Sequence, residues 1–441
     1  MKTILTSLGL LICSSLFAQN LHRCATVNAV ELRNAEFPGY SKVVNKIFSE
    51  AKKHAERKDI NEPDPIYQVP VVVHIVYNTP QENISNELVY AQIARLNKDF
   101  RRLNADSVDT RAEFLPVAGD AGIEFYLAGI DPDGNPTGGI TRTEVTREDF
   151  APDFTGVGLD DVKQSSLGGV DSWDTDEYLN IWVCDLIGND AIFQIFGFAY
   201  PPASAPNWPA GSNAPSDELE GVVIHYEIFG EGNPLATGQL SISNQGRTAV
   251  HEVGHYLGLR HIWGDAIEFL GEDGCAVDDG LDDTPNAATN AAQTCNYNKN
   301  TCTDSPVDFP DMIENYMDYA QDQCMNMFTQ DQSDIMRSML ETARIDLADG
   351  SIPPTGIDFE LVDASKISIF PNPTNGKFQI QFPSDLTLEN FQVFDLKGRL
   401  VISIVNQIEN GQLSIESAKA GAYMLRLNFT EGTAVKRLLI Q

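Results

Sequence analysis

The chain has 441 residues, of which 42% are hydrophobic, so it is long enough for two or three folded units and is not disordered as a whole. It carries 63 acidic and 30 basic residues, a formal net charge of −33. This balance excludes nucleic acid as a partner, because binding to polyphosphate requires clustered positive charge.

The first eighteen residues are predicted to form a signal peptide. Lys2 supplies the positive charge, an apolar run follows, and Ala18 is the small residue expected before the cleavage point. The apolar run is too short to span a bilayer. Cys13 is a poor lipoprotein site because the bulky Ile12 precedes it. We therefore expect an exported, soluble protein.

Residues 19–60 have mixed charge, and we interpret them as a pro-segment. Residues 61–348 are predicted to form an α+β domain with a small mixed sheet. Its predicted strands are YQVPVVVHIVYN, AGIEFYLAGI, EYLNIWVCDLI and LEGVVIHYEIF. Helices are predicted around ISNELVYAQIARLNKDFRRLN, with Ser85 as N-cap, and around TQDQSDIMRSMLETARIDLA.

The last part of the chain has a different pattern. Residues 349–362 contain Pro and Gly and are interpreted as a linker. Residues 363–441 contain short strand-like runs separated by turn residues, which predicts a small all-β sandwich. This segment has no His and no Cys, so we expect no catalytic site in it.

The stretch HEVGHYLGLRH holds three of the seven histidines. His251 and His255 are four residues apart and therefore share one face of a helix. Gly258 permits a left-handed helix stop, after which the chain can return His261 as a third ligand. Three imidazoles with an open fourth position for water are typical of a catalytic zinc site, whereas closed sites are structural.

Glu252 adjoins the first of these histidines and is predicted to be a general base. It can take a proton from water, whose pKa zinc lowers to about 7, and pass it to a leaving amine. The alternative is a helix whose histidines face solvent or fill a core. The full HExxHxxGxxH pattern occurs by chance in on the order of one in a hundred thousand chains of this composition.

Four cysteines cluster downstream, at Cys275, Cys295, Cys302 and Cys324. In an exported protein they predict two disulfides, for which three pairings are possible. Cys184 lies in an apolar strand-like run and is expected to be a buried free thiol.

The same region is strongly acidic. No Lys or Arg lies between residues 266 and 298, while seven acids accumulate there: Glu268, Glu272, Asp273, Asp278, Asp279, Asp282 and Asp283. Such carboxylates repel each other unless they are solvated or bind a hard cation such as calcium.

The extended histidine motif resembles that of metzincin peptidases, and NYMDYAQDQCM is similar to the Met-turn of their pappalysin family. The resemblance implies that Met317 lies beneath the zinc and that Tyr319 donates to the oxyanion of the tetrahedral intermediate. It also places Asp322 at the floor of the S1′ pocket, where a buried carboxylate favours Lys or Arg after the scissile bond. The plainer alternatives are a core methionine and a surface acid.

The acidic loop GCAVDDGLDDTP resembles the calcium loop of the pappalysins. This implies side-chain ligands from Asp279 and Thr284 and carbonyl ligands from Asp278 and Asp282. The resemblance further implies two disulfides, Cys275–Cys302 and Cys295–Cys324.

Cys24 lies in HRCATVNAVELR, which resembles the latency segments of this family. Its thiolate would occupy the open zinc position until the segment is removed, at basic residues such as Arg33, Lys53 or Arg57. The alternative is an unpaired thiol with no role.

The tail resembles the C-terminal sorting domain of the type IX secretion route, in IFPNPTNGKF, VFDLKGRLV, GAYMLRL and KRLLIQ. This implies transport across an outer membrane by the type IX machinery, either to a free form or to one attached to the cell surface. A carbohydrate-binding sandwich is the alternative, but the segment lacks an aromatic platform.

These features together predict a secreted zinc metallopeptidase that resembles the pappalysins, with residues 61–348 as its catalytic domain and zinc and calcium as cofactors. We expect a monomer that is latent until its pro-segment is removed and that cleaves protein or peptide substrates before Lys or Arg. GFAYPP, residues 197–202, is expected to be an edge strand that pairs with substrate. The alternative is a non-enzymatic, metal-dependent adhesin, which would bind without turnover.

Overall fold

The computed structural model describes residues 21–22, 24, 65–152, 157–188, 194–202, 216–264, 273–276, 278–304, 307–354, 366–384, 386–395, 400–405, 412–414, 419–429 and 432–441. The predicted signal peptide lies outside these residues. So do most of the predicted pro-segment, including the basic residues proposed as cleavage points, and the second half of the predicted linker.

The strands are β1 (Leu21–His22), β2 (Tyr67–Tyr77), β3 (Ala118–Gly119), β4 (Ile123–Leu127), β5 (Ile140–Glu144), β6 (Leu179–Cys184), β7 (Gln194–Ile195), β8 (Gly197–Ala199), β9 (Val222–His225), β10 (Phe328–Thr329), β11 (Ser368–Phe370), β12 (Lys377–Gln381), β13 (Leu388–Asp395), β14 (Leu400–Val405), β15 (Gln412–Ser414), β16 (Gly421–Phe429) and β17 (Gly432–Ile440). The α-helices are α1 (Asn86–Phe100), α2 (Arg247–Tyr256) and α3 (Gln330–Thr342). Short 3₁₀ helices span Ala105–Asp109, Leu115–Val117, Asp161–Lys163, Ser165–Leu167, Asp217–Leu219, Tyr226–Ile228 and Gly238–Ser243. Among the described residues, none of the helices has the length and apolar character that a membrane span requires.

A mixed sheet with the order β4–β2–β6–β9–β8 forms the centre of the first domain, as predicted. Strand β2 pairs in parallel with β4 through its first half, with β5 through its second half, and with β6 on its other side. It is buried along nearly its whole length, as expected for a central parallel strand. Strand β8 runs antiparallel to β9 and forms the edge of the sheet.

Helices α1 and α2 pack against each other and against this sheet, α1 on β4 and α2 on β8 and β9. The face of α1 that meets the core carries Leu88, Val89, Ile93, Leu96 and Phe100 at helical spacing. Ser85 is the N-cap residue, as predicted, although its side chain makes no capping hydrogen bond.

Loops and α3 complete the domain below the sheet. A capping box between Thr329 and Gln332 starts α3. The loops contain two disulfides, Cys275–Cys302 and Cys295–Cys324, which is the pairing that the resemblance implied. Cys184 is buried and outside any disulfide, as predicted.

The C-terminal part is all-β, as predicted. Antiparallel strands form a three-stranded sheet, β11–β12–β15, and a four-stranded sheet, β14–β13–β16–β17. Side chains from both sheets share one hydrophobic cluster, which includes Phe378, Ile380, Phe391, Val393 and Leu425. Two sheets that bury a common core form a small sandwich.

Candidate active site

Helix α2 carries the histidine motif through the interior of the domain. Every residue of α2 is buried, whereas helical spacing alone predicts that only one face of such a helix is covered. The sheet covers one side of the helix, and the loop that contains Met317 covers another. The polar side chains of α2 are therefore held within the protein.

The three motif histidines converge on one point through their Nε2 atoms. The Nε2 of His255 lies 3.1 Å from that of His251 and 3.0 Å from that of His261, and the remaining pair is 3.2 Å apart. Tetrahedral zinc with bonds of about 2.0–2.1 Å would hold its ligands roughly 3.3 Å apart. The spacing of these nitrogens therefore fits one zinc ion.

Backbone carbonyls fix the orientation of two of these imidazole rings through their Nδ1 atoms. The Nδ1 of His251 lies 2.7 Å from Tyr316 O, and the Nδ1 of His255 lies 3.0 Å from Leu259 O. Only a protonated Nδ1 can donate to a carbonyl, so both Nε2 atoms can present lone pairs to a metal. Burial, and then the nearby His261, hold the pKa of His255 well below its usual range, which favours the neutral ligand form.

Gly258 provides the turn that returns the third histidine. Its φ is +91°, in the left-handed region that favours glycine. The N–H of Gly258 donates to His255 O at 2.9 Å and so closes the end of α2. This is the helix stop that the motif spacing predicts.

Cys24 lies against the same cluster. Its Sγ and the ligand nitrogens of the three histidines all lie within 4.8 Å of one another. The thiol also donates to Glu252 Oε2 at 3.2 Å, and both residues are buried. The structure thus brings the predicted latency cysteine, general base and metal ligands into one place.

Tyr319 stands beside this cluster. Its phenol donates to the backbone carbonyl of Cys24 at 3.3 Å. Its ring centroid lies 4.9 Å from that of His261 and 5.6 Å from that of His251. A phenol in this position reaches a peptide carbonyl next to the histidines.

Met317 packs directly under α2. A Cβ added at Gly254 would lie only 2.6 Å from Met317 Sδ. The loop is fixed locally because Asn315 Oδ1 accepts a hydrogen bond from Met317 N at 2.9 Å. Gly254 is therefore required for this close approach of the Met-turn to the helix.

The edge strand β8 also lies close to Glu252, the predicted general base. A Cβ added at Gly197 would lie 2.9 Å from Val223 O and 3.0 Å from Glu252 Cγ. Strand β7, which precedes β8, pairs in parallel with β1 of the N-terminal segment. The strand next to β8 in the chain therefore already pairs with an extended backbone of the N-terminal segment.

Lys163 supports the other face of β8. Its buried ammonium donates to Leu219 O at 2.7 Å and lies 4.7 Å and 4.4 Å from the ring centroids of Phe198 and Tyr200. Cation–π contacts of this kind are strengthened when water is excluded. Lys163 thus fixes the edge strand from within the core.

Asp322 is fully buried at the start of α2. Its Oδ2 accepts hydrogen bonds from Gln245 N at 2.9 Å and Arg247 N at 3.2 Å, while Arg247 Nη1 donates to Asp322 O at 2.7 Å. The N-cap residue, Gly246, has no side chain to accept these donors. Asp322 therefore supplies the helix cap from the Met-turn loop.

The acidic loop buries one carboxylate. Asp279 Oδ1 accepts from the Thr284 hydroxyl at 2.7 Å and from Leu281 N at 3.1 Å, while Oδ2 is buried with no hydrogen-bond donor among the described residues. Burial raises the pKa of Asp279 to about 8. The residues Asp278 and Asp282 are exposed. An unpartnered buried carboxylate oxygen fits a bound hard cation.

Sequence reasoning missed several residues that shape the site. Trp263 stacks on His261, with ring centroids 4.2 Å apart and an angle of 10° between planes. Arg247 was also not singled out, and the close approach of Gly197 to Glu252 and of Gly254 to Met317 was not predicted. Their roles depend on contacts between distant segments, which a local pattern does not reveal.

Two family models match the chain. Residues 163–341 match the family described as pregnancy-associated plasma protein-A, and residues 368–441 match the secretion system C-terminal sorting domain. The first match contains the histidine motif, the acidic loop and the Met-turn. The second covers the C-terminal strands.

Solved structures give the broadest similarity. Mature mirolysin from Tannerella forsythia, in complex with a cleaved peptide, is 41% identical with a TM-score of 0.55; the match covers 65% of this chain and 97% of mirolysin. A mutant of promirolysin from the same organism is 37% identical with a TM-score of 0.59, over 75% of this chain and 98% of that one.

Fungal proteins are similar over shorter stretches. An extracellular metalloprotease of Verticillium alfalfae is 47% identical over 134 residues, which are 30% of this chain and 42% of the relative. One of Arthroderma gypseum is 26% identical over 259 residues, 59% of this chain and 67% of the relative. The chain thus spans less than half of the length of the first relative.

Proposed function

Since the chain belongs to the pappalysin family of zinc metallopeptidases, we propose that it hydrolyses peptide bonds on the N-terminal side of Lys or Arg. The convergence of three histidine Nε2 atoms beside the Glu252 carboxylate supports the hydrolysis, and the buried carboxylate of Asp322 supports the preference. The C-terminal strands belong to a secretion sorting domain, so the protein is exported by the type IX route.

His251, His255 and His261 would hold the zinc. When bound, zinc would act as a Lewis acid that polarises a carbonyl and lowers the pKa of water to about 7. Glu252 then accepts the proton of the attacking water and delivers it to the leaving amine.

Tyr319 would stabilise the charge that develops on the scissile carbonyl. Its phenol already donates to a peptide carbonyl, that of Cys24, beside the ligand cluster. A donor aimed at the developing oxyanion stabilises the transition state more than the ground state. This contact with the N-terminal segment supports the same role toward a substrate carbonyl.

The N-terminal segment would hold the protein latent. Cys24 Sγ lies where a fourth zinc ligand would be, and it also contacts Glu252. Thiolate is a strong zinc ligand, so it would exclude water from the metal. Removal of the segment would free the base, the metal position and the Tyr319 phenol together.

Substrate would pair with the outer edge of β8. This strand lies at the edge of the sheet, and a Cβ added at Gly197 would lie 3.0 Å from Glu252 Cγ. An extended peptide added to a sheet edge gains main-chain hydrogen bonds without any requirement on its sequence. Side-chain preference must then come from neighbouring pockets.

Asp322 would provide the preference for Lys or Arg after the scissile bond. Its carboxylate is buried, and two backbone N–H groups hold it in place. A cationic substrate side chain that reaches it would form a charge-assisted hydrogen bond. The net charge of −33 would also attract basic peptides.

Calcium would occupy the acidic loop. We propose side-chain ligands from Asp279 and Thr284 and carbonyl ligands from Asp278 and Asp282. The buried, unpartnered Oδ2 of Asp279 supports this assignment. The loop between the disulfides would then stay folded despite its uncompensated charge.

Paired peptides that differ only in Lys or Gln after the scissile bond test the substrate proposal. The mature chain should cleave the Lys peptide at least about tenfold faster, since a hydrogen bond to a charged group contributes roughly 1.5–3 kcal/mol. Asp322→Asn should remove this preference, whereas Asp308→Asn, an exposed acid of the same region, should keep it. Equal cleavage of both peptides by the unaltered chain would refute the specificity but not the peptidase activity.

A further inference from the structure

We propose that Trp263 is a positioning residue that holds the phenol of Tyr319 where the scissile carbonyl will lie. The inference rests on the proposed role of Tyr319 as the oxyanion donor. It assigns a function to Trp263, which neither the zinc motif nor the Met-turn explains.

Three rings surround the ring of Tyr319. The indole of Trp263 meets it edge to face, with centroids 4.7 Å apart and planes at 70°. His261 meets it at 4.9 Å and 79°, and His251 at 5.6 Å and 49°. Aromatic rings prefer edge-to-face contacts at such distances, so these neighbours favour one orientation of the Tyr319 ring.

The turn after His261 places the indole there. Gly264 N donates to His261 O at 3.0 Å, and Gly264 has a φ of +65°. This tight turn folds Trp263 back over the imidazole of His261, where it is only 7% exposed. The zinc ligand thus supports one face of the indole, and the edge of the indole supports Tyr319.

The backbone of Tyr319 is held separately. Asp318 Oδ1 accepts a hydrogen bond from Tyr319 N at 2.6 Å, and Gln293 N donates to Tyr319 O at 2.7 Å. These contacts fix the main chain, and the neighbouring rings limit rotation about the side-chain bonds. His251 and His261 are committed to the metal site, so Trp263 is the one of the three that can be varied.

Loss of the indole should therefore lower the turnover number while leaving substrate affinity nearly unchanged. A phenol that samples several orientations stabilises the transition state only for the fraction of time in which it points at the oxyanion. Ground-state binding along β8 does not involve Trp263. The expected result is a fall in kcat of roughly tenfold, part of the 10²–10³-fold that a whole oxyanion donor contributes.

The test uses the mature, zinc-loaded enzyme with Trp263→Leu, Trp263→Phe, Tyr319→Phe and the Trp263→Leu/Tyr319→Phe double variant. Trp173→Leu is the matched control, because Trp173 is a partly buried tryptophan that packs on Tyr178 and His74, away from the three motif histidines. We expect Trp263→Leu to lower kcat with KM changed less than about threefold. Trp263→Phe should restore most of kcat, since a phenyl ring retains the edge contact.

The double variant tests the mechanism itself. If Trp263 acts through Tyr319, the double variant should be no slower than Tyr319→Phe alone. The proposal would be overturned if the kcat losses of the two single variants multiply in the double variant. It would also be overturned if Trp263→Leu keeps the full kcat or loses its zinc. If Tyr319→Phe alone leaves kcat unchanged, the proposed role of Tyr319 as oxyanion donor fails. This outcome differs from those that overturn the role of Trp263.

Intrinsic fluorescence gives a readout that does not depend on activity. The chain has four tryptophans, and Trp263 alone among the described three stacks on a motif histidine. Zinc added to the metal-free mature protein should change the emission of the unaltered chain and of Trp173→Leu. The response should be lost in Trp263→Leu, and an unchanged response there would contradict the placement of the indole.

Discussion

The thiol of Cys24 donates to Glu252 Oε2 at 3.2 Å, within the cluster that the three motif histidines form. The carbonyl of the same residue accepts a hydrogen bond from Tyr319. One residue of the N-terminal segment therefore contacts the proposed base, the proposed metal position and the proposed oxyanion donor. Its displacement would expose all three groups together.

Cys24→Ala should make the unprocessed chain partly active and should speed its maturation. Alanine has no ligand atom for zinc and no donor for Glu252, so the segment would lose its strongest contact with the site. Peptide hydrolysis by the intact chain, followed over time together with processing on a gel, measures both effects.

Cys184→Ala is the matched control for this change. Among the described residues, Cys184 is the other buried cysteine outside a disulfide, and it lies in β6 within a separate apolar cluster. The control should remain as latent as the unaltered chain. A Cys24→Ala chain with the same latency as this control would rule out the thiol as the blocking group.

Gly254→Ala should destabilise the mature enzyme by about 1–3 kcal/mol, the usual penalty for overpacking a core. The added Cβ would lie 2.6 Å from Met317 Sδ, so the buried Met317 side chain, the Met-turn or α2 must shift. Urea unfolding measures the free energy, and competition with a chelator measures zinc affinity, which should also fall. Gly138→Ala is the control, because a Cβ there meets nothing within 4 Å. Equal stability of the two variants would contradict this packing.

Removal of calcium should destabilise the fold by about 3 kcal/mol relative to the protein at a calcium concentration of roughly 100 times the Kd. Without the cation, burial raises the pKa of Asp279 to about 8. A carboxyl whose folded pKa exceeds its unfolded value of 3.8 favours the fold when protonated, and that contribution is lost as the pH rises to about 8. Chelation should therefore lower the melting temperature more at pH 8 than at pH 5.

Asp279→Asn should abolish the calcium-dependent part of the stability, while Asp308→Asn should preserve it. Both are acids of the same loop region, but only Asp279 is buried. Calorimetric melting with and without calcium distinguishes them. Identical responses of the two variants would remove Asp279 from the ligand set.

His74 should make the fold sensitive to mild acid. It is buried in β2, with Nε2 2.9 Å from Asn180 Oδ1, and burial lowers its pKa to about 4. The folded pKa lies below the unfolded value of 6.5, so its contribution to stability is complete above pH 6.5 and is lost as the pH falls to about 4. The loss amounts to about 3 kcal/mol. His74→Gln should flatten the stability profile between these pH values, and an unchanged slope would contradict the assignment.

The sequence was sufficient to predict the main strands and helices and the placement of the motif residues. Dense β-branched runs predicted β2 and β6, and helical spacing predicted α1. Strand β5 was missed because ITRTE lacks an apolar pattern and is recruited only by pairing with β2. The two disulfides could be paired only by resemblance, because three pairings satisfy the cysteine positions alike.

Contacts between segments that are far apart in the sequence could not be predicted from the sequence. The approach of Gly197 to Glu252, the cap that Asp322 provides for α2 and the stack of Trp263 on His261 each join elements whose relative placement no local pattern encodes. These contacts nevertheless decide how the catalytic groups are oriented. The signal present in the sequence was only the residue type: a glycine in an edge strand and a tryptophan two residues after a ligand.

The role of Glu252 is tested most directly by kcat/KM of the mature enzyme and of Glu252→Ala at equal zinc content. Glu218→Ala, an exposed acid, serves as the control. The account predicts a loss of roughly 10²–10⁴-fold in Glu252→Ala, the usual contribution of a general base, with the control unchanged. A Glu252→Ala enzyme that retains zinc and cleaves peptides at the rate of the unaltered enzyme would contradict the account.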